Sequence, residues 1–298
     1  MNARRGLLLA ALLAAAPGAR AELYYVIVGG LGGNPEYDEA FATHAHKLGE
    51  AAERTLGGDA RVSVLVGSAA TREALRARLT ALAARTKQSD RLAVFLVGHG
   101  SYDGTQYKFN LPGPDIDGAE LAELLGAIPA RAQLVVNATS ASGAVLENWA
   151  KAGRAVITAT RSGAERNATR FAEYFAAALS ADEADVNKNG MITAQEAFDY
   201  TARRVADSYE AEGTLATEHP QLKGDNLGSF EIARLKAPAA VETPEVVELN
   251  AQRAALEERI AELRLRREEL GENYLPQLEA LLVELARVQE RIDAAGAQ

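Results

Sequence analysis

The chain has 298 residues, enough for one large or two modest domains, each able to bury a substantial core. Hydrophobic residues make up 48% and charged residues 24%, which excludes wholesale disorder. The absence of cysteine excludes a disulfide framework, a thiolate zinc site and a cysteine nucleophile. A net charge of −9 leaves no electrostatic footprint for nucleic acid.

Residues 1–21 read as a signal peptide. Arg4 and Arg5 form a positive n-region, Leu7 to Ala16 a short apolar stretch, and Ala19-Arg20-Ala21 a small-x-small cleavage pattern. Glu22 is then the mature N-terminus. The protein is expected to be exported, periplasmic or secreted, with no membrane span left after cleavage, because no later run is apolar for about 18 residues.

Four apolar, β-branched runs follow: Leu23–Val28, Arg61–Val66, Leu92–Val97 and Gln133–Val136, with Ala155–Thr158 as a fifth. Amphipathic helical stretches lie between them. In Thr71–Thr86, for example, Leu75, Leu79 and Leu82 share a face and Thr71 can cap the N-terminus. Apolar strands alternating with helices predict an α/β fold over residues 22–235, with a mostly parallel sheet covered on both faces.

Residues 236–244 read as a Pro- and Ala-rich linker, and residues 245–298 as an α-helical hairpin. Leu249, Leu256, Leu263 and Leu270 recur every seven residues, with Arg253 and Arg267 interrupting the other seam row. Gly271 to Pro276 breaks the pattern, and a second helix carries Leu278, Leu281, Leu285, Val288 and Ile292. Such a coiled-coil-like hairpin can dock on its own domain or mediate self-association.

Two segments leave the carboxyl ends of strands, where open α/β sheets hold ligands. Leu92–Val97 runs into Gly98-His99-Gly100-Ser101, and Gln133–Val136 into Asn137-Ala138-Thr139-Ser140-Ala141-Ser142-Gly143. Glycines flanking His99 permit a tight turn with bare backbone N–H groups. Phe95–Gly104 and Val135–Gly143 resemble the strand–His-Gly and strand–small-Cys-x-Ser-Gly motifs of the caspase/legumain-like (clan CD) cysteine peptidases, the legumain-like branch most of all. The resemblance spans roughly Leu23 to Leu227. It implies a caspase-like fold, His99 as the catalytic histidine, and the Gly100 and Ser140 amides as oxyanion donors.

Registered on Ser142-Gly143, the motif puts Ser140 where the nucleophilic cysteine belongs. A thiol is a few per cent thiolate at neutral pH, whereas a serine hydroxyl needs an oriented base. The expectation is a catalytically impaired pseudo-peptidase that binds a peptide or protein ligand. Hydrolysis of a peptide or ester bond through Ser140 and His99 is the alternative, with His219, the one histidine after Ser140, as the other base. No third group that would orient His99 is evident, because Gly29–Asn34 does not register on the family pattern. Arg161 and Arg166, after the fifth strand, are candidates for an acidic ligand group.

Asp185 to Glu196 (DVNKNGMITAQE) fits a calcium loop of the EF-hand type. Asp185, Asn187 and Asn189 stand at positions 1, 3 and 5, Gly190 at the turn, the Met191 carbonyl at 7, Thr193 at 9 and Glu196 at 12. Ala168–Leu179 reads as the entering helix and Thr193 or Ala194 to Tyr209 as the exiting one. Only two ligands carry charge, so a weak, structural Ca2+ site is expected.

Overall fold

A computed structural model of the protein describes residues 21–236 and 244–296. The signal-peptide expectation for residues 1–20 and most of the expected linker, residues 237–243, lie outside these. In chain order the elements are β1 (Leu23–Gly29), α1 (Pro35–Leu56), β2 (Val62–Leu65), α2 (Arg72–Arg85), β3 (Arg91–Val97), β4 (Gly100–Tyr102), β5 (Tyr107–Phe109) and β6 (Ile116–Asp117). They continue with α3 (Gly118–Gly126), β7 (Ala132–Asn137), α4 (Leu146–Trp149), β8 (Arg154–Thr158), α5 (Phe171–Ala178), β9 (Met191–Thr193) and α6 (Ala194–Glu212). The chain ends with β10 (Gln221–Lys223), β11 (Glu231–Arg234), α7 (Pro244–Leu265), α8 (Arg267–Leu270) and α9 (Tyr274–Gly296).

The main sheet has the order β10-β8-β7-β3-β1-β2. All its pairs are parallel except β10 with β8. Alternation along the central strands divides the core in two, because successive side chains point to opposite faces. Tyr25, Ile27, Phe95, Leu134, Val136 and Ile157 pack under α1, α5 and α6. Val26, Val28, Val94, Leu96, Val135 and Val156 pack against Leu75 and Leu79 of α2, Leu121 and Leu125 of α3, and Trp149 of α4. Complete burial of each such side chain is worth about 1.5–3 kcal/mol, so the two layers hold the sheet rigidly beneath its loops. Helix starts follow local chemistry. Asn34 caps α1 through the Tyr37 N–H (2.9 Å) and Thr71 caps α2 through the Ala74 N–H (3.1 Å).

The α7–α9 hairpin buries its own seam of Leu249, Leu256, Ile260 and Leu263 against Leu281, Leu285 and Val288. The break expected over Gly271 to Pro276 narrows to a 3-10 turn, Gly271–Asn273, and the first arm is also interrupted at Arg266, between α7 and α8. Arg253, which interrupts the heptads, is buried because it faces the α/β body. It donates to the Asn189 carbonyl (3.3 Å) and lies 3.5 Å from the Glu231 carboxylate. No helix among the described residues is long and apolar enough to cross a membrane.

Several elements depart from the sequence reading. β10 joins the sheet edge antiparallel, and β11 pairs antiparallel with β9 (Ala233 opposite Ile192). The entering helix begins at Phe171, not Ala168, because the carboxylate of Glu218, distant in the chain, takes the N–H groups of Arg170 (2.7 Å) and Phe171 (3.2 Å).

Candidate functional site

β3 ends at Val97, and the chain turns into His99 through Gly98, whose φ of +150° lies outside the ordinary range of L-residues. The imidazole sits edge-on against two rings of α1, Tyr37 (4.8 Å between centroids) and Phe41 (5.0 Å). This burial pushes its pKa below the usual histidine value, and a hydrogen bond with the Gly32 backbone opposes the shift. The Gly32 backbone is thus the polar group beside the imidazole.

The Gly-rich stretch explains itself here by close approach. A Cβ on Gly30 would stand 2.5 Å from the Asn110 carbonyl, and one on Gly32 would stand 2.4 Å from the Asp38 nitrogen. The Asp38 carboxylate accepts the Gly32 N–H at 2.7 Å, so the first turn of α1 fixes the loop that holds His99.

Ser140 leaves the neighbouring strand β7 and is 2% exposed. Its hydroxyl donates to the Gly100 carbonyl (3.0 Å) and accepts the Gly100 N–H (3.1 Å). The amide expected to serve an oxyanion is thus directed at the serine's own oxygen. No hydrogen bond joins Ser140 to His99 among the described residues; the two are linked through Gly100. A Cβ on Gly100 would lie 2.5 Å from the Ser140 carbonyl and 2.6 Å from Thr139 Oγ1, so only glycine fits the strand here.

Thr139, fully buried, bonds the Tyr107 hydroxyl (2.7 Å) and Asn137 Oδ1 (2.8 Å). Burial drives the Tyr107 pKa up to about 12, against its hydrogen bonds with Thr139 and Asn137. Ala141 takes φ +57°, a left-handed conformation uncommon outside glycine, and its N–H donates to the Glu165 carbonyl at 2.7 Å. Ser142 and Gly143 are locked to Thr160, with Ser142 Oγ 3.2 Å from Thr160 Oγ1 and the Gly143 N–H 2.9 Å from it.

The loop after β8 carries a feature that sequence reasoning missed. The Glu165 carboxylate lies 2.6 Å from His219 Nδ1 and accepts the N–H groups of Arg161 (2.8 Å) and His219 (3.2 Å). Glu165 is nearly covered (12% exposed), whereas the His219 side chain is 42% exposed. A carboxylate on Nδ1 favours the tautomer that carries its proton there. Arg161, a candidate for an acidic ligand, instead lies 3.5 Å from this same Glu165, and Arg166 is exposed. Fifty-four residues separate Glu165 from His219, so spacing carried no signal of the pair.

The Asp185–Glu196 loop forms its turn at Lys188 (φ +60°) and Gly190 (φ +76°). Asp185 accepts the Asn189 (3.1 Å) and Gly190 (2.8 Å) N–H groups, Asn187 accepts that of Asn189 (3.0 Å), and Asn189 Oδ1 accepts that of Met191 (2.7 Å). Thr193 and Glu196 form a capping box for α6, which turns the Glu196 carboxylate back onto Thr193. Residues 179–184 separate α5 from Asp185, so the entering helix does not run into the loop.

From outside the loop, Glu257 of α7 accepts the Asn189 Nδ2–H at 2.7 Å, and burial pushes the Glu257 pKa up. No group of three or more His, Cys, Asp or Glu that could hold a metal occurs among the described residues. The donor set on offer is two carboxylates, two amides, a hydroxyl and the Met191 carbonyl, all oxygen, which suits a hard cation such as Ca2+.

No family model matches the chain, and no curated protein matches it. Solved structures similar to it include protein GSU0716 from Geobacter sulfurreducens, at 15% identity over 68% of this chain and 92% of that one, with a TM-score of 0.47. Caspase-1 from Spodoptera frugiperda is 10% identical over 74% of this chain and 93% of its own (TM-score 0.46). The Drosophila initiator caspase Dronc is 12% identical over 69% and 79% (TM-score 0.40). The mixed α/β fold, with its mostly parallel sheet, two helix layers and C-terminal hairpin, thus has caspases among its structural neighbours.

Proposed function

We propose that the chain is an exported, periplasmic or secreted, caspase/legumain-like peptidase homologue of impaired catalysis, which binds an extended peptide or protein segment at the carboxyl ends of its central strands. Ser140 stands in the place of the nucleophilic cysteine. The observation that carries this reading is the closure of the Ser140 hydroxyl on Gly100, donating to its carbonyl and accepting its N–H. Activation of a serine requires a base that takes the hydroxyl proton as oxygen attacks. Here that proton is given to a backbone carbonyl, which cannot accept it as a base, and His99 packs against Tyr37 and Phe41.

A second reading, a working serine hydrolase, is favoured by one observation, the Glu165–His219 pair. Its carboxylate fixes one imidazole nitrogen, and its backbone carbonyl holds Ala141, next to Ser140. In that reading His219 would be the base and Glu165 its positioning residue. The Asp185–Glu196 loop adds a structural Ca2+ site that ties α6 to β11, and the hairpin offers a surface for self-association.

Labelling of the mature protein by a fluorophosphonate and by peptide electrophiles tests these readings. The expected result is no labelling of the wild type and alkylation of Ser140→Cys by the peptide electrophile. Wild-type labelling lost in both Ser140→Ala and His219→Ala would overturn the impaired reading in favour of the second. Loss in Ser140→Ala and His99→Ala, with His219→Ala unaffected, would instead make His99 the base.

A further inference from the structure

The start of β1 is clamped to the start of β3 through Glu22. The Arg91 N–H donates to the Glu22 carbonyl at 2.7 Å, and the Glu22 nitrogen donates to Asp90 Oδ1 at 3.1 Å. The Glu22 side chain accepts the Tyr24 hydroxyl (2.6 Å) and lies 3.8 Å from Arg61. Asp90 is 3% exposed, and its second oxygen accepts the Lys87 N–H at 2.7 Å. Both its hydrogen bonds therefore come from backbone nitrogen, and among the described residues no Lys, Arg or His side chain pairs with it. A carboxylate buried to this degree ordinarily has a cation beside it.

The Ala19-Arg20-Ala21 pattern puts the cleavage point at the bond that ends in this same nitrogen. We propose that cleavage between Ala21 and Glu22 supplies the missing cation: the new α-ammonium of Glu22 pairs with Asp90 and locks β1 to β3 in the mature protein. A leader peptidase hydrolyses the bond with water. The Ala21 carbonyl carbon takes the water oxygen and leaves as a carboxylate, while the Glu22 nitrogen gains protons and becomes an ammonium. The proposal rests on the cleavage reading and is independent of any peptidase activity. A hydrogen bond from a neutral amide to the carboxylate becomes an ammonium–carboxylate ion pair, charged on both sides.

The test compares two purified chains: one with Glu22 as first residue, released from an N-terminal fusion, and one with Gly-Ser ahead of Glu22. The Glu22-first chain is expected to melt about 2–4 °C higher, and the difference is expected to vanish in Asp90→Asn. Equal melting in the wild-type background would overturn the proposal. Because Asp90→Asn can itself fail to fold, carbamylation of the Glu22 α-amine by cyanate is measured on the wild type as well. It is expected to run several-fold slower in the folded than in the urea-unfolded protein, and equal rates would refute the ion pair. The intact mass of the protein exported from a bacterial host is expected to match residues 22–298. Processing at another bond would overturn the cleavage step separately from the ion pair.

Discussion

Removal of the Glu218 carboxylate gives the sharpest test of how the site loops are held. Arg170, at the N-cap of α5, has no side-chain cap, and Glu218 takes its place from 48 residues away. The carboxylate is 2% exposed and accepts Arg170 N–H at 2.7 Å, Phe171 N–H at 3.2 Å and the Tyr209 hydroxyl at 3.3 Å. In Glu218→Ala two helix-start N–H groups are left unsatisfied in a dry site, at about 1–3 kcal/mol each. The desolvation cost that the buried carboxylate itself carries offsets part of that loss. A net destabilisation of about 2–4 kcal/mol follows, and a fall in melting temperature of about 5–12 °C for a domain of this size. Glu218→Gln keeps one acceptor oxygen and should lose about half as much. Urea unfolding followed by far-UV circular dichroism reads both. A Glu218→Ala change below about 0.5 kcal/mol would refute the long-range cap. The sign with pH is also determined. Burial raises the folded-state pKa of Glu218 above the ordinary carboxylate value, more than its three hydrogen bonds lower it. The folded protein then binds the proton more tightly, so this contribution is complete below the ordinary value and is lost as pH rises through the raised one. Glu218→Gln should flatten that part of the stability profile.

Three further outcomes are expected. Gly100→Ala drives a methyl group into Ser140, Thr139 and Tyr107, with approaches of 2.5–2.7 Å. It should cost at least about 1–3 kcal/mol in urea unfolding, and a cost under about 0.5 kcal/mol would show that the packing yields. Tyr107→Phe leaves Asn137 Oδ1 and Thr139 Oγ1 with one partner fewer in a buried network. A loss of about 1–2 kcal/mol is expected, and an unchanged unfolding midpoint would count against the network. Calcium at 10 to 100 times its Kd should stabilise the wild type by about 1.4–2.7 kcal/mol in a thermal melt, and Asp185→Ala should abolish the gain. Equal gains in both proteins would place the ion elsewhere.

Much of the fold was legible because its signals are local. The apolar runs at Leu23, Leu92 and Gln133 became central parallel strands, since a strand buried on both faces is apolar throughout. Thr71 and the Leu249–Leu256–Leu263 repeat behaved as their spacing required, because capping and the heptad act within a few residues. What tertiary structure decided lies between residues far apart in the chain or in segments too short to carry a period. Three-residue β10 has no pattern to reveal its antiparallel place, and β9 became a strand by meeting β11. Arg253 read as a flaw in a coil until its partners, Asn189 and Glu231, came from another element. At the candidate site, motif spacing put His99 and Ser140 on adjacent strand ends. Ring contacts with Tyr37 and Phe41 turned His99 toward α1, and hydrogen bonds turned Ser140 onto Gly100 and a second imidazole, His219, onto a carboxylate. Such directions depend on contacts across the whole domain, and no stretch of the sequence holds them alone.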